Sequence, residues 1–217
     1  MTEKTYDEQW EEVAKTDKAH QAIATKYYQN EKYYNLGGIT TINQFLTKIS
    51  DVYGENCQDL IMLEIGSGTG RETKFLAECF KKVFATDTSR SMIEKGIRRV
   101  PAKNVAWYNN ESGNLKDIPD NSIDVVYSFI VFQHCKADTV RSYFKEANRV
   151  LKHRGRFLFQ LGLLDRDTEP INYGDVGRRT VKTITKDLIN AGFNIEKLAD
   201  IHFGLHSCIK PDPLNVV

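Results

Sequence analysis

The run Leu63-Glu64-Ile65-Gly66-Ser67-Gly68-Thr69-Gly70 constrains this chain more than any other stretch. Ile61, Met62, Leu63 and Ile65 read as a short buried strand, and three glycines at alternate positions then break it. After Gly70 the residues return to helical spacing, with Phe75, Leu76 and Cys79 on one face. The pattern is strand, glycine turn, helix. Glycine suits such a turn because it accepts positive φ and lets another group approach the backbone. The helix start adds N–H groups that have no partner within the helix. Lys82-Val83-Phe84-Ala85-Thr86 reads as a second strand, closed by Asp87. A carboxylate at that point can accept both hydroxyls of a ribose, as in nucleoside-binding βαβ units.

Spacing separates two kinds of nucleoside ligand. The dinucleotide fingerprint G-x-G-x-x-G needs its third glycine three positions after the second, where Arg71 stands; here it comes one residue early, at Gly70. That disfavours a nicotinamide oxidoreductase. A G-x-G-x-G turn preceded by Glu64 resembles the first motif of class I S-adenosylmethionine-dependent methyltransferases. Asp87, 21 residues after Gly66, matches that family's ribose-binding acid. Thr88-Ser89-Arg90-Ser91-Met92 follows it, like the family's D-x-S-x-x-M helix entry. Asn110-Glu111-Ser112-Gly113-Asn114-Leu115, then Pro119 and Asp120 to Val126, resembles the stretch G-D-A-x-x-L-P-x-x-D-x-S-F-D-x-V. Val150-Leu151-Lys152-His153-Arg154-Gly155-Arg156-Phe157-Leu158 resembles the corner V-L-K-P-G-G-x-L. The resemblance runs from about Asp59 to Gln160. Taken singly, glycines after a strand make a tight turn and an Asp after a strand caps a helix. The four segments in family order carry the inference.

The resemblance implies an α/β fold: a Rossmann-like, seven-stranded, mostly parallel sheet with the last strand antiparallel, helices on both faces and an N-terminal helical leader. It implies S-adenosyl-L-methionine as cofactor and S-adenosyl-L-homocysteine as product. In that setting Gly66, Ser67, Gly68 and Gly70 would let the backbone approach the amino acid moiety and ribose. Glu64 would fix the loop or meet the ligand's ammonium, and Asp87 would take the ribose hydroxyls. Thr88, beside Asp87, and Met92 would flank the adenine. Glu111 stands where the family usually has Asp, accepting from the adenine amino group, and Ser112 would offer its backbone N–H. Phe129, at the end of the fourth strand, would lie near the methionyl arm. His134, just past that strand, is the candidate general base, because imidazole titrates in the useful range. The competing role for the Gln133-His134 pair is to cap the next helix and order the loop.

Read for periodicity alone, the chain gives the same organisation. Residues 1–58 read as a helical leader, which the resemblance makes a lid, and 59–217 as the alternating domain, which the resemblance makes the cofactor-binding one, a single compact domain overall. In the leader, Trp10, Val13, Ile23, Tyr27 and Tyr28 recur at helical spacing, Asn35-Leu36-Gly37-Gly38 breaks the pattern, and Ile42, Phe45, Leu46 and Ile49 form a second amphipathic face. Strands are expected near 60–65, 82–87, 105–109, 123–129, 155–163, 193–201 and 204–210, and helices near 71–79, 90–99, 138–151 and 181–191. This alternation argues for a parallel sheet. Only His202-Phe203-Gly204 separates the last two strands, too little for a helical crossover, so the final strand should run antiparallel.

Composition narrows the partners. Net charge is +1, which gives no global electrostatic case for nucleic acid or membrane. No apolar run approaches the ~20 residues of a spanning helix, and the N-terminus has no signal-peptide core. The cysteines at 57, 79, 135 and 208 are scattered, which fits free thiols in a cytoplasmic protein and no metal site. Residues 164–180 form a long polar excursion. There Arg166, Arg178, Arg179 and Lys182 could clamp an anionic acceptor, although a solvated basic helix start is the plainer reading. Tyr6 or Trp10 could close over the cofactor as a lid. The expected function is methyl transfer to an O or N atom of a small-molecule acceptor. The alternatives are a protein methyltransferase and a cofactor-binding protein without turnover.

Overall fold

The computed structural model describes residues 4–16, 31–53, 57–171, 175–198 and 205–213. Its backbone divides into two compact units, Met1–Asn110 and Glu111–Val217. The first holds α1 (Tyr6–Lys15), α2 (Glu31–Tyr53), β1 (Ile61–Ile65), α3 (Thr73–Cys79), β2 (Lys82–Asp87), α4 (Arg90–Arg99) and β3 (Val105–Asn109). The second holds β4 (Ile123–Ser128), a single turn of 3-10 helix (Phe132–His134), α5 (Ala137–Val150), β5 (Leu151–Gln160), α6 (Val181–Asn190), β6 (Asn194–Lys197) and β7 (Leu205–Ile209). The seven strands are ordered β3-β2-β1-β4-β5-β7-β6 in the sheet. β1, β2 and β3 pair in parallel, as do β4 and β5, while β7 runs antiparallel to both β5 and β6. The expected mostly parallel sheet with an antiparallel last strand is therefore what the chain forms.

The first unit is built as its pattern dictates. Met62, Leu63 and Ile65 of β1 and Val83, Phe84 and Ala85 of β2 are buried, and burial is continuous along both strands, as in a strand covered on both faces. α4 begins at Ser89, whose hydroxyl accepts the Met92 N–H at 3.1 Å, and ends on Arg98 and Arg99, which complement the helix dipole. In the second unit Phe132, Phe144, Phe157 and Phe159 are fully buried, and their rings lie 4.7–6.0 Å apart between centroids.

Two expectations need correcting. α2 does not break at Asn35-Leu36-Gly37-Gly38; it is one helix through these residues. Gly38 is there for proximity. A Cβ on it would lie 2.9 Å from the Arg71 carbonyl oxygen and 2.9 Å from Phe75 Cε2, so only glycine lets α2 approach this closely. Tyr34, Ile42, Phe45 and Ile49 on the same helix are buried, while Leu46 is half-buried. The second correction concerns β5, expected from 155 to 163 after a helix reaching 151. It starts at Leu151, directly after α5, and ends at Gln160. The strand survives a kink at Arg154, whose φ of 64° is left-handed and whose N–H donates to the Lys210 carbonyl at 2.8 Å. Leu163 leaves the sheet to bridge with Arg179. His20, Ile23, Tyr27, Tyr28 and His202-Phe203-Gly204 lie outside the described residues.

Candidate functional site

In the first unit the glycine turn joins β1 to α3. Gly66, Gly68 and Gly70 take φ of 77°, 54° and 82°, a left-handed conformation at alternate residues that explains the G-x-G-x-G spacing. The turn is fastened to β2: the N–H groups of Gly66 and Ser67 donate to the Thr86 carbonyl at 2.8 and 2.9 Å, and that of Gly68 donates to the Asp87 carboxylate at 2.8 Å. The other Asp87 oxygen accepts the Ser89 N–H at 2.9 Å. Two backbone donors thus hold Asp87 at the mouth of the turn, with acceptor capacity remaining. Ser67 Oγ is buried with no hydrogen-bond partner among the described residues. An orphaned buried hydroxyl in a glycine turn is what a ligand contact would complete.

Glu64, two residues before that turn, is also buried and accepts from Thr73 Oγ1 at 2.5 Å. Burial, followed by the nearby Glu72 carboxylate, raises its pKa to about 8 against the Thr73 hydrogen bond and Arg71. Burial also raises Asp87 to about 6; the Ser89 and Gly68 N–H groups oppose this, and Asp7 and Glu11 add to it. Both groups bind protons more tightly folded than unfolded. The stability they contribute is present in full below their unfolded values and is lost as pH rises through the folded ones. The melting temperature of the ligand-free protein should therefore fall between pH 4.5 and about 8, and Glu64→Gln should flatten the part of that slope above about pH 6. Calorimetric melts of both proteins across this range check it, and parallel curves would contradict it.

Helix α1 is bolted beside Asp87. The Glu11 carboxylate accepts from Ser89 Oγ at 2.7 Å, Ser91 N–H at 3.0 Å and Ser91 Oγ at 2.6 Å. Burial opposes its ionisation, but these hydrogen bonds outweigh it and hold the pKa down to about 2. From α4, Lys95 Nζ donates to the carbonyls of Ala14 and Thr16 at 2.6 and 3.0 Å, where the α1 dipole is negative. Met92 is buried against Ala14 of α1. Thr88 is half-buried beside Asp87. On α2, the Tyr34 hydroxyl lies 2.6 Å from Thr69 Oγ1, within the glycine turn, and the Arg99 guanidinium stands 4.5 Å from the Tyr34 ring centroid. Glu11, Tyr34, Thr69 and Lys95 escape sequence reasoning. Glu11 and Lys95 read as solvated helix charges, and nothing in the order of residues places Tyr34 against Thr69.

In the second unit Glu111 is exposed and Ser112 half-exposed, just before Gly113 at φ 78°. Phe129 is half-buried and stacks on Tyr127 with 6.5 Å between centroids. Ile130 follows at φ 57°, a conformation costly for a β-branched residue and found mostly where a site demands it. His134 is 9% exposed and engaged at both ring nitrogens, by the Asp175 carbonyl at 2.8 Å and by Gln133 Nε2 at 3.1 Å. Arg179 is buried, donating to the carbonyls of Thr168 and Arg178 and to Glu169, so its guanidinium is committed to the chain's own groups. Arg166 and Lys182 are exposed. Among the described residues no group of three or more His, Cys, Asp or Glu side chains is placed to hold a metal ion, and no helix is long and apolar enough to cross a membrane.

Comparison with known proteins places this geometry. Residues 63–159 match the family described as "Methyltransferase domain". A "probable S-adenosylmethionine-dependent methyltransferase" of Mycolicibacterium smegmatis is 27% identical over 180 residues, covering 77% of this chain and 66% of that protein. The phosphoethanolamine N-methyltransferase of Plasmodium falciparum is 25% identical over 172 residues, covering 79% of this chain and 60% of that protein. The chain thus spans under two thirds of the length of either relative. Magnesium protoporphyrin IX methyltransferase from Synechocystis, solved with bound S-adenosylmethionine, shares the fold with a TM-score of 0.69 at 13% identity, covering 97% of this chain and 99% of that one. The matched span begins in β1 and ends in β5, so it contains the glycine turn, Asp87 and the strand end that carries Phe129. Over that span, and with these relatives, the chain is similar to the class I S-adenosylmethionine-dependent methyltransferases.

Proposed function

We propose that this chain transfers a methyl group from S-adenosylmethionine to an O or N atom of a small-molecule acceptor. The observation that carries the reading is Asp87, held between the Gly68 and Ser89 N–H groups at the mouth of a turn whose buried Ser67 hydroxyl has no partner among the described residues. These residues fit the family's cofactor. Asp87 accepts the ribose hydroxyls, the Gly66–Gly70 backbone cradles the amino acid end, and Glu64 faces the cationic part directly or through water. The crowding of Glu64, Glu72, Asp87, Asp7 and Glu11 favours a ligand that brings positive charge or donors. Thr88 and Met92, and on motif order Glu111, Ser112 and Phe129, complete the proposed contacts. α1, fastened beside Asp87, supports a lid role for Tyr6 and Trp10.

When bound, S-adenosylmethionine supplies an activated methyl group on a sulfonium. The protein then has to orient the acceptor and exclude water, which asks for positioning more than for acid–base groups. A small acceptor is supported by the relatives named for phosphoethanolamine and magnesium protoporphyrin IX. With Arg179 committed, an anionic acceptor would be met by Arg166, Arg178 and Lys182. The four cysteines, none in a disulfide, fit a reducing compartment such as the cytoplasm. The test is transfer of labelled methyl from S-adenosylmethionine to panels of small amines, phenols and carboxylates, with peptides alongside. Label on a small molecule supports the reading. Label only on peptides would move it to the protein methyltransferases. Cofactor binding without transfer to any panel would favour a protein that binds and does not turn over.

A further inference from the structure

His134 is the obvious candidate base, yet its surroundings describe a different job. The Asp175 carbonyl, 2.8 Å from Nδ1, can only accept, so Nδ1 carries the proton. In the neutral ring Nε2 is then the acceptor, and the Gln133 amide donates to it at 3.1 Å. That orientation turns Gln133 Oε1 toward Gln160, whose Nε2 donates to it at 3.2 Å. Each link has a donor facing an acceptor, and the relay runs in one direction from Gln160 to Asp175. Beside it, the Gly177 N–H donates to the Gln133 carbonyl at 2.6 Å. Gln133, His134 and Gln160 are all at least nine-tenths buried. A general base needs its Nε2 lone pair open to the acceptor's proton; here it receives an amide hydrogen.

We infer that His134 is a positioning residue: with Gln133 and Gln160 it latches the segment Asp175–Arg179 to the carboxyl ends of β4 and β5. Ligands of such sheets bind outside those ends, so the latched segment forms a wall on the acceptor side. This last step rests on the methyltransferase reading; the latch itself does not. The same segment is tied further along, where Arg178 N–H donates to the Thr168 carbonyl at 3.2 Å and Arg179 N–H to the Gly162 carbonyl at 3.1 Å. The latch therefore decides whether a folded excursion stays seated or opens locally.

Two substitutions separate the roles. Asn places an amide nitrogen where Nδ1 stands and can donate to Asp175, but it cannot act as a base. Ala can do neither. Hydrogen exchange at the Gly177, Arg178 and Arg179 amides should rise about tenfold or more in His134→Ala and stay within about threefold of wild type in His134→Asn. S-adenosylhomocysteine affinity should change less than about twofold in both variants. Once an acceptor is in hand, His134→Asn should keep the wild-type pH–rate profile. Unchanged exchange in His134→Ala, or equal exposure in both variants, would overturn the latch. A His134→Asn protein with wild-type exchange but a lost pH limb would restore the base. Failure of the wild type to bind S-adenosylhomocysteine would remove the acceptor wall while leaving the exchange result standing.

Discussion

Asp87→Ala should lower affinity for S-adenosylhomocysteine at least about a hundredfold. A carboxylate that accepts two ligand hydroxyls makes two charge-assisted hydrogen bonds, each contributing about 1.5–3 kcal/mol. Losing both costs about 3–6 kcal/mol, or two to four powers of ten in the dissociation constant. The substitution also strips the Gly68 and Ser89 N–H groups of their shared acceptor and loosens the turn they shape. Asp87→Asn tests the charge with less disturbance and should fall between wild type and Ala. Wild-type affinity in Asp87→Ala would place the ribose elsewhere.

The second large effect is on the fold. Phe132 is fully buried, with the rings of Tyr143, Phe144, Phe157 and Phe159 at 5.5, 5.8, 6.0 and 5.8 Å between centroids. It draws together the turn after β4, helix α5 and strand β5. Phe132→Ala should cost about 3–5 kcal/mol, since the lost burial and the remaining cavity add. That is a large share of the roughly 5–15 kcal/mol by which domains are stable. In a chain of this length it corresponds to a fall in Tm on the order of 10 °C. Phe132→Leu refills most of the space and should recover most of the loss. Denaturant titration of the three proteins decides it; a loss below about 1 kcal/mol in Phe132→Ala would mean the cluster is not the core of the second unit. Phe132 also precedes the Gln133-His134 latch directly, so packing below supports the hydrogen bonds above.

Much of the scaffold can be read from residue order because local and global demands agree there. β2, β3 and α4 occupy the residues the pattern assigns them. Val83 to Ala85 form an unbroken apolar run, Ser89 is a good cap, and Arg98-Arg99 closes the helix, so each boundary has its own local cause. The departures have tertiary causes. Gly37-Gly38 looks like a helix breaker until Arg71 and Phe75 are seen pressing on Gly38. Leu151 to Arg154 looks like a corner, since nothing local reveals that Lys210 accepts the Arg154 N–H and carries the strand through. The candidate site divides the same way. The glycine turn and Asp87 are legible because backbone conformation and one carboxylate dictate them. Glu11, Tyr34 and the Gln160–Gln133–His134 relay are not, because partners 78, 35 and 27 residues apart meet only in the fold.

The most direct measurement is calorimetric titration of the wild-type protein with S-adenosylmethionine, S-adenosylhomocysteine and NADH. All three ligands carry a ribose and an adenine, so the comparison asks what the G-x-G-x-G turn is shaped for. Saturable one-to-one binding of both adenosyl ligands with no heat from NADH is the predicted result. NADH binding with silence from the adenosyl ligands would contradict the account and leave the turn and Asp87 as a likeness of fold alone.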